Sequence, residues 1–209
     1  MRYIFVHGLG QNSLSWEKTI AYMEKTTPIS HPDLFDLLND KQPTYDNLYL
    51  SFSEYIEKNP EPVTLIGLSL GAILALNYTI DHPQKVQSLV LIAAQYKMPK
   101  VLLQVQNTIF RFMPASSFQK LGFSKNDFIL LSNSMMELDF SKDLKRIQCP
   151  TLVLCGEKDK VNKRATKKLA KQLPKAEIRT IIRAGHEINR EAPEKLASVL
   201  NDFFRKHEK

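Results

Sequence analysis

Residues 63–76 read VTLIGLSLGAILAL, a serine set between two glycines where one apolar segment meets another. Residues 63–67 have the look of a short buried strand, and residues 70–76 begin a helix too apolar to face water. The chain has only seven glycines, and two of them flank this serine, Gly67 and Gly71 around Ser69. Either this is a tight turn that happens to contain serine, or the turn is built to hold the hydroxyl up. A sharp strand-to-helix turn forces its central residue into a strained backbone conformation. Side chains on either side would crowd neighbouring backbone, which asks for glycine at both flanking positions. The hydroxyl would then stand at the C-terminal edge of a sheet, beside the free N–H groups that begin a helix.

The rest of the chain supplies such a sheet. At 209 residues, 43% hydrophobic and 24% charged, it has the size and composition of one ordinary globular domain. Apolar runs at 3–6, 63–66, 88–92, 151–154 and 178–182, with a weaker one at 28–30, are predicted strands. Helical patterns fall at 13–25, 46–58, 70–81, 163–173 and 193–206. Strands that are apolar throughout and alternate with helices predict an α/β fold whose parallel sheet is covered on both faces.

Residues 96–142 break the alternation. They offer no strand but carry Met98, Phe110, Phe112, Met113, Phe118, Phe123, Phe128, Met135 and Met136. These are either extra helices packed on the sheet or a lid between two strands, its apolar underside lining a pocket. In the second case Phe110, Met113, Met135 and Met136 are the candidate substrate contacts. Arg111 is an alternative holder of a substrate carboxylate.

Charge and cysteine content narrow the setting. The N-terminal MRYIFVHGLG fits neither a signal peptide nor a membrane anchor, and no apolar stretch reaches the roughly 20 residues of a spanning helix. Cys149 and Cys155 flank a predicted strand too extended to let them bridge, so a reduced, cytoplasmic protein without membrane insertion is expected. The net charge is +7, with the densest basic run at 158–173, KDKVNKRATKKLAKQL. Val161, Ala165, Leu169 and Leu173 recur there every four residues, which makes the lysines the wet face of an amphipathic helix. No aromatic residue interleaves them, so a nucleic-acid partner is not expected.

A serine hydroxyl is a poor nucleophile without a base. Of the five histidines, His186 lies just past the last predicted strand, at the sheet edge where Ser69 would stand. His82 sits at a helix end as a C-terminal cap, and His207 lies in a tail expected to fray. The run HEINR begins like a zinc-binding His-Glu-x-x-His, but Arg190 takes the place of the second histidine, and the zinc reading fails. An acid must fix the base's tautomer. Glu157 and Asp159 both follow the strand at 151–154, and Asp159 is better aimed by the intervening glycine turn. Backbone N–H groups after the first strand, near Gly8 and Gly10, are free to face an oxyanion. A dinucleotide fingerprint fails there, because Ser13 stands where a third glycine is needed. Six of the seven glycines fall in these four strand-end loops, which suggests loops kept flexible around a shared site.

With HGLG, GLSLG, GEKD and AGHE in this order, the chain resembles the α/β-hydrolase superfamily along nearly its whole length, as one domain spanning 1–209. The Ser, Asp, His order is that family's. The resemblance implies Ser69 as nucleophile, Asp159 as acid and His186 as base. Backbone N–H groups of Leu9 and Leu70 would form the oxyanion hole, with His7 supporting the loop, and 96–142 would be a cap insertion. It implies a doubly wound sheet of about six parallel strands, because the chain begins at the strand ending in HGLG, without the family's first two. It implies a serine hydrolase of small or medium acyl esters that needs no metal or cofactor. A thioesterase, a carbon–carbon bond hydrolase or a non-catalytic ligand binder remain as alternatives. Ser69 argues against the branches that place aspartate there.

Overall fold

The computed structural model describes residues 2–24, 27–114, 118 and 124–207. Its strands are β1 Arg2–Val6, β2 Ile29–Ser30, β3 Val63–Leu68, β4 Val86–Ile92, β5 Thr151–Gly156 and β6 Ala176–Ile181. They form one sheet in the order β2-β1-β3-β4-β5-β6, with every pairing parallel. The helices are α1 Glu17–Ala21, α2 Tyr45–Glu57, α3 Leu70–Asp81, α4 Lys100–Phe112, α5 Lys125–Ser134, α6 Lys160–Gln172, α7 Ile188–Glu191 and α8 Pro193–His207.

Alternation along the strands divides the core into two layers, because successive side chains of a strand point to opposite faces. Ile4, Val6, Leu65, Leu89, Leu91 and Val153 pack beneath α2, α3 and α6, together with Phe52, Tyr78 and Leu169. Tyr3, Phe5, Ile66, Leu68, Val90, Ile92 and Leu154 pack on the other face, against Trp16, Leu196, Leu200, Phe203 and Phe204. Helix α3 has Leu70, Ile73, Leu74, Leu76 and Tyr78 all buried, as its largely apolar sequence requires. Each of its fully buried leucines contributes roughly 1.5–3 kcal/mol by leaving water.

Sheet order positions the site. From β1 the chain runs outward to β2 and then returns across β1 to β3, so the direction of winding reverses between β1 and β3. Loops leaving the C-terminal ends of two such strands diverge and open a crevice. Val6 pairs with Gly67, which brings the loop after β1 level with the turn that carries Ser69.

Two helix expectations need correction. The stripe that α6 buries is Asn162, Thr166, Leu169 and Leu173, while Val161 is 59% exposed. The fourfold spacing of apolar residues misplaces the first turn, because that turn faces a polar site. His207 is not in a frayed tail: it ends α8 with its ring Nε2 2.8 Å from Glu177 on β6.

Between β4 and β5 the chain forms α4 and α5, which pack on each other. The two ends of this stretch are tied together. The Met98 N–H donates to the Leu138 carbonyl at 3.0 Å, and the Phe140 N–H donates to that of Tyr96 at 2.8 Å. An isolated antiparallel bridge between Lys97 and Asp139 lies between these bonds. The excursion therefore leaves and rejoins the sheet through one narrow neck, formed by 96–98 and 138–140. Phe123 and Gly122 lie outside the described residues.

Candidate active site

Strand β3 ends at Leu68 and α3 begins at Leu70, so Ser69 alone makes the turn. Its backbone sits at φ 54° and ψ −111°. A residue other than glycine held in such a region stores about 1–3 kcal/mol of strain and persists only where its surroundings over-determine it. Here the Ser69 N–H donates to the Ile92 carbonyl at 2.9 Å, and the Ser69 carbonyl accepts from the Ile73 N–H at 3.0 Å. A Cβ on Gly67 would lie 2.4 Å from the Gly71 carbonyl oxygen, and one on Gly71 would lie 2.2 Å from that of Val6. The expectation of flexible glycine loops is thus corrected. These glycines permit close backbone contact, and among the described glycines only Gly10, at φ 78°, uses a positive φ.

The acid and the imidazole meet opposite this turn. Asp159 is the N-cap of α6 and accepts the Asn162 N–H at Oδ1, 3.1 Å away. Its Oδ2 lies 2.8 Å from His186 Nδ1, which makes Nδ1 the protonated nitrogen and leaves Nε2 as the basic one. Asn162 Nδ2 also donates to both carboxylate oxygens, at 3.0 and 2.9 Å. Burial raises the pKa of Asp159, but hydrogen bonds from His186 and Asn162 outweigh it and hold the carboxyl below its ordinary value. Glu157, the other candidate acid, turns away to accept the Arg183 N–H at 2.9 Å. With Nδ1 protonated, the hydrogen bond of the imidazole is to Asp159, Asn162 Nδ2 lies beside the same nitrogen at 3.1 Å, and among the described residues no hydrogen bond of the ring reaches Ser69. Such contacts are often long without substrate and tighten in the complex.

Sequence reasoning missed Asn162 and Gln95. Gln95 donates to Asn162 Oδ1 at 2.7 Å, which fixes the Asn162 amide with its NH2 toward Asp159. It also missed the braces of the neighbouring loops. Gln11 and Asn189, both buried, exchange amide hydrogen bonds at 3.2 and 3.1 Å and lock the loop after β1 onto α7. The Glu191 carboxylate accepts the Gly185 and Glu187 N–H groups at 2.7 and 3.1 Å, gripping His186 from both sides.

His7 is fully buried, accepts the Leu34 N–H at Nε2 and donates from Nδ1 to the Gly8 carbonyl. Both ring nitrogens are thus used in holding the loop that carries Leu9. Leu70 opens α3, where first-turn N–H groups have no intrahelical acceptor. His82 caps the far end of α3, as expected, with its ring stacked on Tyr78.

Ser69, Asp159 and His186 open onto one cavity of about 580 Å³, large enough for a small acyl compound. Leu9 and Leu70 line it beside the serine, and Phe110, Met113, Phe118, Phe128 and Met135 form an apolar wall. The three phenyl rings meet edge to face, with centroids 5.2–6.1 Å apart. Met136 is off this wall: it is half-buried in the turn that follows α5 and does not line the cavity. Phe112, 85% exposed, and Arg111, also exposed, lie on the outer side of α4 and take no part in the lining.

The comparisons with known proteins agree with this fold. Curated relatives include the mouse monoacylglycerol lipase ABHD6, 21% identical over 96% of this chain and 74% of that protein. The pimeloyl-[acyl-carrier protein] methyl ester esterase of Wigglesworthia glossinidia brevipalpis is 26% identical over 75% of this chain and 74% of its own. Among solved structures, a thermophilic esterase from Thermogutta terrifontis superposes with a TM-score of 0.78 at 18% identity, covering 100% of this chain and 91% of that one. MenH from S. aureus gives 0.78 at 17% identity, with 100% and 95% covered. The profile of the Alpha/beta hydrolase family matches residues 3–199, and the chain belongs to that family.

Proposed function

We propose that this protein is a serine hydrolase that cleaves small or medium acyl carboxylic esters through an acyl-enzyme intermediate. The observation that carries the reading is the opening of a strained serine, a carboxylate-bound imidazole and a helix N-terminus onto one largely apolar cavity. Ser69 Oγ attacks the acyl carbon while His186 Nε2 takes its proton, and Asp159 stabilises the imidazolium so formed. N–H groups of Leu9 and Leu70 hold the oxyanion. His186 then protonates the leaving alcohol, and water, activated by the same imidazole, releases the acid. Phe110, Met113 and Met135 receive the acyl chain, with 96–142 acting as a cap on the hydrolase core. Helix α6 starts at the catalytic acid, so acid placement and helix capping are one structural event.

Two free thiols, Cys149 and Cys155, suit a reducing cytoplasm, and among the described residues no helix is long and apolar enough to cross a membrane. The reading is tested with a panel of p-nitrophenyl esters, thioesters, lactones and diketones. Ester turnover lost in Ser69→Ala supports it. Turnover confined to diketones makes the protein a carbon–carbon hydrolase, and binding without any turnover makes it a ligand binder.

A further inference from the structure

A second groove, of about 470 Å³, adjoins the catalytic cavity and shares Gln95, Met98, Pro99 and Val161 with it. The two lie on either side of this shared wall, apolar on the side of the serine and cationic beyond Val161. Lys97, Arg164 and Lys168 line the outer part. Lys97 is held by Asp139 at 2.6 Å, whereas Arg164 and Lys168, one turn apart on α6, form no ion pair among the described residues.

The whole helix shows the same imbalance. Lys160, Lys163, Arg164, Lys167, Lys168 and Lys171 place six cations in α6 with no acidic residue. Like charges four apart, such as Lys160 with Arg164 and Arg164 with Lys168, disfavour the helix they sit on. Cations near its N-terminus oppose the helix dipole as well. A merely solvated face would be served better by mixed charge. Placed at the mouth of a catalytic cavity, a cluster of one sign attracts and orients a ligand of the other.

We infer that Arg164 and Lys168 bind a phosphate group carried on the leaving group of the substrate, while the acyl chain occupies the apolar cavity over Ser69. This deepens the serine-hydrolase reading, acyl transfer through Ser69, and rests on it. Two cations on adjoining turns suit a dianion better than a single carboxylate. The phosphate has two chemical sources, an acylglycerol phosphate or the phosphopantetheine arm of an acyl thioester.

The test compares matched pairs: 1-butyrylglycerol with its 3-phosphate, and S-butyrylpantetheine with its 4′-phosphate. The expected result is that at least one phosphorylated member exceeds its neutral partner about tenfold in kcat/KM at low salt, with screening by salt erasing the difference. Arg164→Gln/Lys168→Gln should abolish the preference and leave the neutral member unchanged. The pair that responds identifies the source. Equal rates within both pairs, or a preference kept in the double variant, overturn the inference. Calorimetric binding of the same four compounds to Ser69→Ala separates the two claims. A phosphate preference in binding without turnover by wild type sinks the hydrolase reading alone, whereas turnover without the preference sinks the groove alone.

Discussion

The loops at the C-terminal edge of the sheet and the helical excursion above them hold their residues by different physics. At the sheet edge, contacts are directional and redundant. Ser69 is fixed by two backbone hydrogen bonds, Asp159 by the Asn162 side chain and N–H as well as by His186, and the His186 loop by the Glu191 carboxylate. Glycine contacts such as Gly71 against Val6 leave no room for adjustment. The excursion is anchored at its neck, and over the cavity it presents Phe110, Phe128, Met113 and Met135, whose apolar contacts have no required direction. The first region holds its side chains in one fixed geometry. Shape that can vary with the ligand is left to the second.

That division sets the order of expected effects. Ser69→Ala should lower ester turnover by roughly 10⁴-fold with the fold unchanged, measured as kcat beside thermal unfolding. His186→Ala should cost nearly as much. It should also remove the acid limb of the kcat/KM profile, since a general base must be unprotonated to act. His82→Ala should leave both intact, because that residue ends α3 through its backbone N–H, with its ring stacked on Tyr78 and no part in the cavity lining.

Asn162→Ala should cost less, about 10- to 100-fold, by loosening the carboxylate that orients the imidazole. The same substitution has a pH signature. Asp159 has its pKa lowered in the folded state, so its ionised form contributes stability above the ordinary unfolded carboxylate value near 3.9, and that contribution is lost as pH falls through the folded value. Without the Asn162 amide, burial opposes ionisation with less compensation. The midpoint of acid unfolding should therefore move to higher pH, and an unchanged midpoint would show that Asn162 does not support the carboxylate.

Phe110→Ala, in the excursion, should have the smallest effect on a short ester. It should shift the preferred acyl length upward by one or two carbons, with changes of a few fold per methylene, as expected of about 0.8 kcal/mol for each buried CH₂. An equal loss on acetate and decanoate esters would show that the apolar wall serves the chemistry and not the choice of substrate.

The same contrast explains what the sequence alone revealed. Elements whose cause is local were legible: the Gly67–Ser69–Gly71 turn follows from sterics, and α3 follows from the apolar run at 70–76 that opens it. Asp159 and His186 were legible because each follows a strand end, and parallel strands deliver their ends to one edge. Asn162, Gln95, Gln11 and Asn189 were not, since each is an amide whose partner is set by folding. The Gln11–Asn189 pair closes across 178 positions. Periodicity identified the apolar residues of the excursion but not their side, so Phe112 and Met136 were grouped with Phe110 although neither reaches the cavity. In α6 the periodic pattern favoured Val161, whereas burial went to the polar Asn162 that donates to the Asp159 carboxylate.

The central claim is that Ser69 is an activated nucleophile and not a turn residue that happens to be serine. Mass spectrometry of the protein treated with a fluorophosphonate measures this directly. The account predicts one adduct on the peptide containing Ser69, formed rapidly in wild type and at least a hundredfold more slowly in His186→Ala, in keeping with the size of general-base catalysis. Labelling spread over other serines, or labelling of Ser69 at the same rate without His186, would contradict it.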